Sequence, residues 1–209
     1  MTAMILAAGR GERMRPLTDT LPKPLLEVKG KALIIYTIEK LVSAGFKTIV
    51  INIAHLGFKI PQAIGNGSRW GIDIIYSDEQ KEGALESAGG IVKALPHLGK
   101  EFLVVNGDVW CDYEFDSTYE LKDKLAHLIL VQNPEHNKEG DFYFEDAKYT
   151  FSGIGYYSAK LFESLDYGSK PLAPILRKNI ELDNISFELF NGIWRDIGTP
   201  QRLQEINLI

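Results

Sequence analysis

Two cations and a pair of glycines near the start of the chain have the types and spacing to do chemistry on phosphate. An apolar run, Ala3-Met4-Ile5-Leu6-Ala7-Ala8, leads into Gly9-Arg10-Gly11-Glu12-Arg13-Met14-Arg15-Pro16-Leu17-Thr18, and Pro22-Lys23-Pro24-Leu25 follows. A buried strand that feeds a glycine turn can bring backbone N–H groups close to an anion. Arg13 and Lys23 then supply counter-charge. Solvated surface positions are the usual fate of such side chains. The prolines on both sides of Lys23 argue otherwise, because they stiffen the loop and fix where the ammonium points. Arg10 reads as an exposed position and Arg15 as a structural one. The loop is not a dinucleotide-binding turn, since Met14 stands where the third glycine belongs. No segment reads as a P-loop.

Two aspartates lie in turns further on, in Asn106-Gly107-Asp108 and in Trp194-Arg195-Asp196-Ile197-Gly198-Thr199-Pro200. Taken alone, each aspartate is a turn or cap residue. The elements that must position them follow from the apolar pattern. Buried strands are expected over 3–8, 48–53, 72–76, 102–105 and 126–131. Between them, Leu33, Ile34, Ile38, Leu41 and Val42 share a helical face, with Gly45 as its C-terminal stop. A second helix is expected over 86–95, and a third over 56–64 that Pro61 breaks or kinks. This alternation implies a mostly parallel sheet covered on both faces. Ligands of such sheets sit beyond the carboxyl ends of the strands. The first loop and Asp108 both lie at strand ends, so they can face one cleft. After Asn133 the pattern changes to short strands over 142–144, 149–151 and 154–157, read as a small lid over part of the cleft. Ser158 is expected to cap a short helix, residues 172–178 to form another, and Pro200 to start the last.

Composition narrows the class. With 209 residues, 45% hydrophobic and 24% charged, the chain suits one α/β domain over residues 1–209. A net charge of −5 argues against nucleic acid as a partner. The single cysteine, Cys111, fits a reducing cytoplasm. The first apolar run is too short for a secretory signal, and no stretch approaches a membrane span. The expectation is a cytoplasmic monomer or homodimer with no membrane partner. The four histidines sit far apart without ligand spacing and carry no expected catalytic role.

The run from Leu6 to Thr18 resembles the signature of sugar-phosphate nucleotidyltransferases, Leu-Ala-Ala-Gly-x-Gly-x-Arg-Leu-x-Pro-Leu-Thr, with Met14 in place of leucine. Pro22 to Leu25 matches the Pro-Lys-x-Leu that follows, and the two aspartate motifs fall where that family has them. The resemblance implies a Rossmann-like three-layer α/β fold with a mixed, mostly parallel central sheet and a small sugar-binding lid. It implies an enzyme of the nucleotidyltransferase class (EC 2.7.7). In its reaction a sugar 1-phosphate oxygen attacks the α-phosphorus of a nucleoside triphosphate, and pyrophosphate leaves. The nucleophile is already ionised near neutrality, since a second phosphate pKa lies near ~6. No general base is needed, so catalysis reduces to alignment and charge neutralisation.

The resemblance also implies roles. Arg13 and Lys23 are the catalytic cations. Asp108 and Asp196 are the ligands of a magnesium ion, a hard cation that takes carboxylate, phosphate and water oxygens; Asp112 is a weaker rival to Asp108. Ala7, Ala8, Gly9 and Gly11 meet the nucleotide, Gly89 admits a base edge, and Asn106, Asp141, Ser152 and Gly153 belong to substrate binding. Where the family often has Gly-Thr-Ala-Gly, this chain has Leu85-Glu86-Ser87-Ala88-Gly89-Gly90, which leaves the base open. Relatives with an added acyltransferase domain are longer, so that second activity is expected to be absent. Asn106-Gly107-Asp108-Val109-Trp110, Asn133-Pro134 through Gly140-Asp141-Phe142, and Lys170-Pro171-Leu172-Ala173-Pro174 resemble a branch that joins UTP to N-acetylmuramate 1-phosphate in bacterial cell-wall recycling. Within the class, guanylyl transfer to mannose 1-phosphate, thymidylyl transfer to glucose 1-phosphate and cytidylyl transfer to phosphocholine are the alternatives. A non-catalytic nucleotide-sugar sensor is the alternative outside it. Lys138, Lys148, Lys170 and Arg177 are the cations on offer for a muramate carboxylate.

Overall fold

In the computed structural model, which describes residues 1–208, the first apolar run forms β1 (Thr2–Leu6), an interior strand of the main sheet. Side chains alternate across a strand, and here Ala3 and Ile5 join the apolar cluster on one face while Met4 joins the cluster on the other. A small hairpin, β2 (Glu27–Val28) and β3 (Lys31–Ala32), leads into α1 (Leu33–Ser43). Gly45, at φ 90°, stops α1: its N–H donates to Val42 C=O, and Phe46 N–H donates to Leu41 C=O. That pair of bonds satisfies carbonyls the helix end leaves open. Then come β4 (Thr48–Ile53), α2 (Lys59–Ile64), β5 (Asp73–Asp78), α3 (Glu86–Leu98) and β6 (Glu101–Asn106). Pro61 does not break α2. It lies in the first turn, where backbone N–H groups have no helical partner to lose.

The second half holds β7 (Val109–Cys111), β8 (Ala126–Val131), β9 (Phe142–Phe144), β10 (Ala147–Ser158), α4 (Leu172–Glu181), β11 (Ile185–Phe190), β12 (Trp194–Asp196) and α5 (Pro200–Leu208). The main sheet runs β11-β8-β10-β6-β1-β4-β5, with β9 paired to β10 off that path. Only β10 breaks the common strand direction: it is antiparallel to β6, β8 and β9, whereas β11 is parallel to β8. Helices α1 and α2 cover one face, and α3 and α4 the other. The result is a three-layer α/β fold with a mixed, mostly parallel sheet.

Three expectations need correction. The short strands over 149–151 and 154–157 are one strand, β10, whose register shifts between Phe151 and Ile154. Gly153, at φ +80°, sits in that bulge and interrupts the alternation that marks a strand in the sequence. Most of β10 lies inside the main sheet, so the expected lid reduces to the hairpin of β9 with residues 147–149. Ser158 precedes a single 3-10 turn and makes no side-chain capping bond.

Candidate active site

The first loop folds around Gly11 rather than around both glycines. Gly11 has φ +65°, and its carbonyl accepts hydrogen bonds from Met14 N–H and from the buried Thr18 hydroxyl, both at 2.8 Å. A Cβ there would lie 2.9 Å from Thr18 Cγ2, so the turn admits no side chain. Gly9 has open space where its Cβ would be, which leaves the rim of the cleft bare. Met14 is fully buried among Leu26, Val28, Leu33, Ile197 and Ile206, and it pins the loop between Gly11 and Thr18 to the body. Beside it, Gly107 N–H donates to Leu6 C=O at 2.8 Å, which packs the turn carrying Asp108 against the end of β1.

Between these two turns lies a cleft of about 430 Å³. Ala7, Ala8, Gly9, Gly11, Arg13, Lys23, Asn106 and Asp108 line it, with Glu86, Ser87 and Gly198. Eight of the residues expected at the site therefore meet there, and Arg10 is not among the lining residues. The pairing of β7 with β12 sets the second aspartate beside this cleft, where Asp196 lines a neighbouring cavity and not the cleft itself. Asp196 stands opposite Val109, and Ile197 N–H donates to Asp108 C=O at 2.8 Å.

Each carboxylate is paired with a cation. Lys23 Nζ is 2.6 Å from Asp108 Oδ2. Asp196 Oδ2 accepts a hydrogen bond from Arg202 Nη1, and its Oδ1 lies 3.1 Å from His136 Nε2. Gly198 closes the corner. A Cβ on it would be 3.0 Å from Asp196 Oδ2 and 3.3 Å from both Arg13 Nη2 and Arg202 Cζ. The donor set, two carboxylates each already drawing positive charge, fits a hard divalent cation that keeps most of its ligands as water and phosphate. Asp112 is exposed beside Gly192 and does not line the cleft. Sequence spacing gave no sign of Arg202 or His136, because both reach Asp196 only through the tertiary fold.

Beneath the cleft runs a buried polar chain. Ala7 N–H donates to Asn52 Oδ1, Asn52 Nδ2 donates to Glu79 Oε1, and Leu85 N–H donates to Glu79 Oε2, all at 2.8 Å. Glu79 is fully buried. Burial pushes its carboxyl above the ordinary range, while its hydrogen bonds to Leu85 and Asn52 pull the other way. Ala7 lines the cleft while its N–H is engaged by Asn52. The polar Asn52 inside an apolar strand was the available sequence signal. Gly90 serves this chain, since a Cβ there would come within 2.8 Å of both Asn52 Nδ2 and Glu79 Oε1.

Gly89 does not line the cleft. A Cβ on it would lie 2.3 Å from Gly168 C=O, and its N–H donates to Lys170 C=O, so its bareness permits close packing. Asp141 and Ser152 also turn inward. Asp141 Oδ2 accepts Phe151 N–H at 2.8 Å, and Ser152 Oγ accepts Ile154 N–H at 3.1 Å. Ser152 C=O accepts Trp194 Nε1–H at 2.9 Å. These residues hold the bulge of β10. Gly153 then abuts Asn106, whose Nδ2 would be 2.5 Å from a Cβ. On the far side of Asp196 lies a second cavity of about 920 Å³, at the carboxyl ends of β8 and β11. Asn133, His136, Phe190, Trp194, Arg195 and Arg202 are among its lining residues.

Comparison with known proteins finds similar chains. A family model described as nucleotidyl transferase matches residues 2–142. The N-acetylmuramate alpha-1-phosphate uridylyltransferase of Neisseria meningitidis serogroup B is 49% identical, covering 98% of this chain and 96% of that protein. The mannose-1-phosphate guanylyltransferase catalytic subunit beta of Danio rerio is 27% identical over 96% of this chain and 62% of its own length. In fold, the chain resembles a Bacillus anthracis protein provisionally described as a glucose-1-phosphate thymidylyltransferase and solved with sucrose. The TM-score is 0.83 at 22% identity, covering 100% of this chain and 94% of that one.

Proposed function

The chain belongs to the nucleotidyl transferase family, and from that premise we propose that it transfers a uridylyl group from UTP to N-acetylmuramate 1-phosphate and releases pyrophosphate. The observation that carries the choice of substrates is the 49% identity, over nearly the whole of both chains, to the Neisseria meningitidis enzyme. The cleft supports the chemistry. Arg13 and Lys23 line it as fixed cations against two anionic substrates that repel each other. The bare rim at Gly9 and the tight turn at Gly11 leave room for the triphosphate beside the end of β1. Asn106 lines the cleft, and Gly153 packs directly behind it.

In this reading Asp108 and Asp196 are the residues that would hold a magnesium ion, which would supply positive charge to phosphoryl transfer. Lys23 and Arg202 pair with those carboxylates and balance their charge. In this reading the product, a nucleotide-linked muramate, belongs to cell-wall recycling, and the enzyme to the cytoplasm. No helix among the described residues is long and apolar enough to cross a membrane.

The test is pyrophosphate release with four nucleoside triphosphates against N-acetylmuramate, N-acetylglucosamine, glucose and mannose 1-phosphates. The highest kcat/KM is expected with UTP and N-acetylmuramate 1-phosphate. Faster turnover with another pair would replace the substrate assignment and leave the reaction class. No release with any pair would overturn the reaction itself.

A further inference from the structure

N-acetylmuramate differs from N-acetylglucosamine by a lactyl ether ending in a carboxylate. A site that separates the two sugars must meet that carboxylate with a fixed cation, because leaving a charge buried and unpaired is expensive. Lys138, Lys148, Lys170 and Arg177 line neither the cleft nor the second cavity. Two arginines line the second cavity instead. Arg195 is exposed and spends Nη1 on its neighbour's carbonyl, that of Trp194.

Arg202 is differently placed. Its side chain is 20% exposed, and it stands in the wall between the two cavities. Across Gly198 it neighbours Arg13, the phosphate cation, since one bare position lies 3.3 Å from atoms of both guanidiniums. Its bonds to the Asp196 carboxylate and carbonyl, and its contact with His136, all use Nη1. Nε and Nη2 make no hydrogen bond among the described residues. A guanidinium anchored at one corner, with its other edge unengaged, is suited to bidentate capture of a carboxylate. Glu135 and Glu205 also line the cavity, so selection there depends on the placement of one cation and not on net charge. A sugar whose 1-phosphate reaches Arg13 would extend past Gly198 to Arg202.

We propose that Arg202 recognises the carboxylate of an acidic sugar 1-phosphate and so sets the preference for N-acetylmuramate over neutral hexosamines. This rests on the acceptor assigned above. The experiment compares wild type, Arg202→Gln and Arg202→Lys on three acceptors: N-acetylmuramate 1-phosphate, its carboxamide analogue and N-acetylglucosamine 1-phosphate. It also measures calorimetric binding of N-acetylmuramate 1-phosphate without nucleotide or metal. Arg202→Gln should cost the acid at least ~20-fold more in kcat/KM than the amide, with most of the change in KM, as for loss of a hydrogen bond to a charged group. Arg202→Lys should recover part of it, and binding of the acid should weaken alike. Equal losses on acid and amide would mean that Arg202 only positions Asp196, and would overturn the proposal. A wild type that turns over N-acetylglucosamine 1-phosphate as well as the acid would overturn the acceptor assignment, and the role of Arg202 with it. A wild type that prefers the acid, with variants that keep the preference, would overturn the role of Arg202 alone.

Discussion

Asp108 and Asp196 reach the same corner from positions far apart in sequence, and each arrives already paired with a cation. Lys23 holds one, and Arg202 with His136 holds the other. Neither carboxylate is deeply buried, so removing its charge costs the fold little. Asp108→Asn and Asp196→Asn should therefore keep thermal stability within a few degrees while turnover falls at least ~100-fold, as for loss of a fixed electrostatic element. Turnover at limiting magnesium, read beside a thermal melt, checks both parts. Near wild-type turnover in either variant would remove that residue from the metal site. The residues that line the cleft were legible because backbone and cation chemistry sits in contiguous motifs: the glycine turn, the proline-flanked lysine and the two aspartate turns. Arg202 and His136 were not. Neither belongs to a motif, and only the β7–β12 pairing with the packing of α5 brings them to Asp196. Gly89, Asp141 and Ser152 carry a second, structural use that the sequence does not separate from binding. Their types suit a binding site, yet glycine also permits close packing, and Asp and Ser also bond backbone N–H groups in bulges and turns.

The buried chain Ala7–Asn52–Glu79–Leu85 ties together the end of β1, β4, the end of β5 and the start of α3. Both Glu79 oxygens accept from N–H donors. In Glu79→Gln, one of those donors must face an amide NH2 instead, which should cost about 1–3 kcal/mol near pH 5. The gap should change with pH. Burial raises the Glu79 carboxyl above its ordinary 4.5. The native state then keeps a proton that the unfolded state has lost, so wild-type stability falls as pH rises from 4.5 through the raised native value. The glutamine variant lacks this titration, so the difference between the two should narrow toward pH 8. Urea unfolding of both proteins at three pH values measures it, and a gap that widens with pH would show the ionised form to be favoured. The strands were legible at this scale wherever an apolar run stays unbroken, as in β1, β4, β6 and β8. They were lost where the run breaks. Ser152 and Gly153 split β10 in two, and β11 alternates polar Ser186 and Glu188 with apolar neighbours at the sheet edge. Pairings such as Trp194 with Cys111 are set by the whole fold and leave no local mark.

Two apolar clusters sandwich the main sheet, and a third, much smaller one lies apart from it. Met14, Leu26, Val28, Leu33, Ile197 and Ile206 join the first loop, the β2–β3 hairpin, the start of α1, the turn after β12 and the helix α5. Arg13 precedes one member of this cluster and Asp196 precedes another, while Arg202 lies one helical turn before a third. The charged groups of both cavities are thus set by packing between the loop and α5 as much as by the sheet. Ile206→Ala removes buried side-chain volume there and should cost about 2–4 kcal/mol. Because the cluster is small and peripheral, the loss should be felt locally first. Amide exchange at Met14 and Ile197, whose N–H groups donate to Gly11 and Asp108, should speed up while the amides of β1 and β6 stay protected. Ile185→Ala, at the sheet's far edge in β11, removes the same side chain and should leave the Met14 and Ile197 amides as they are. Hydrogen exchange read by mass spectrometry on the three proteins decides the matter. Faster exchange of loop and sheet together in Ile206→Ala would mean that the cluster opens only with the whole molecule. Faster exchange confined to the loop and the β12 turn, with a matching rise in KM for both substrates, would make α5 the brace that holds the two cavities in register.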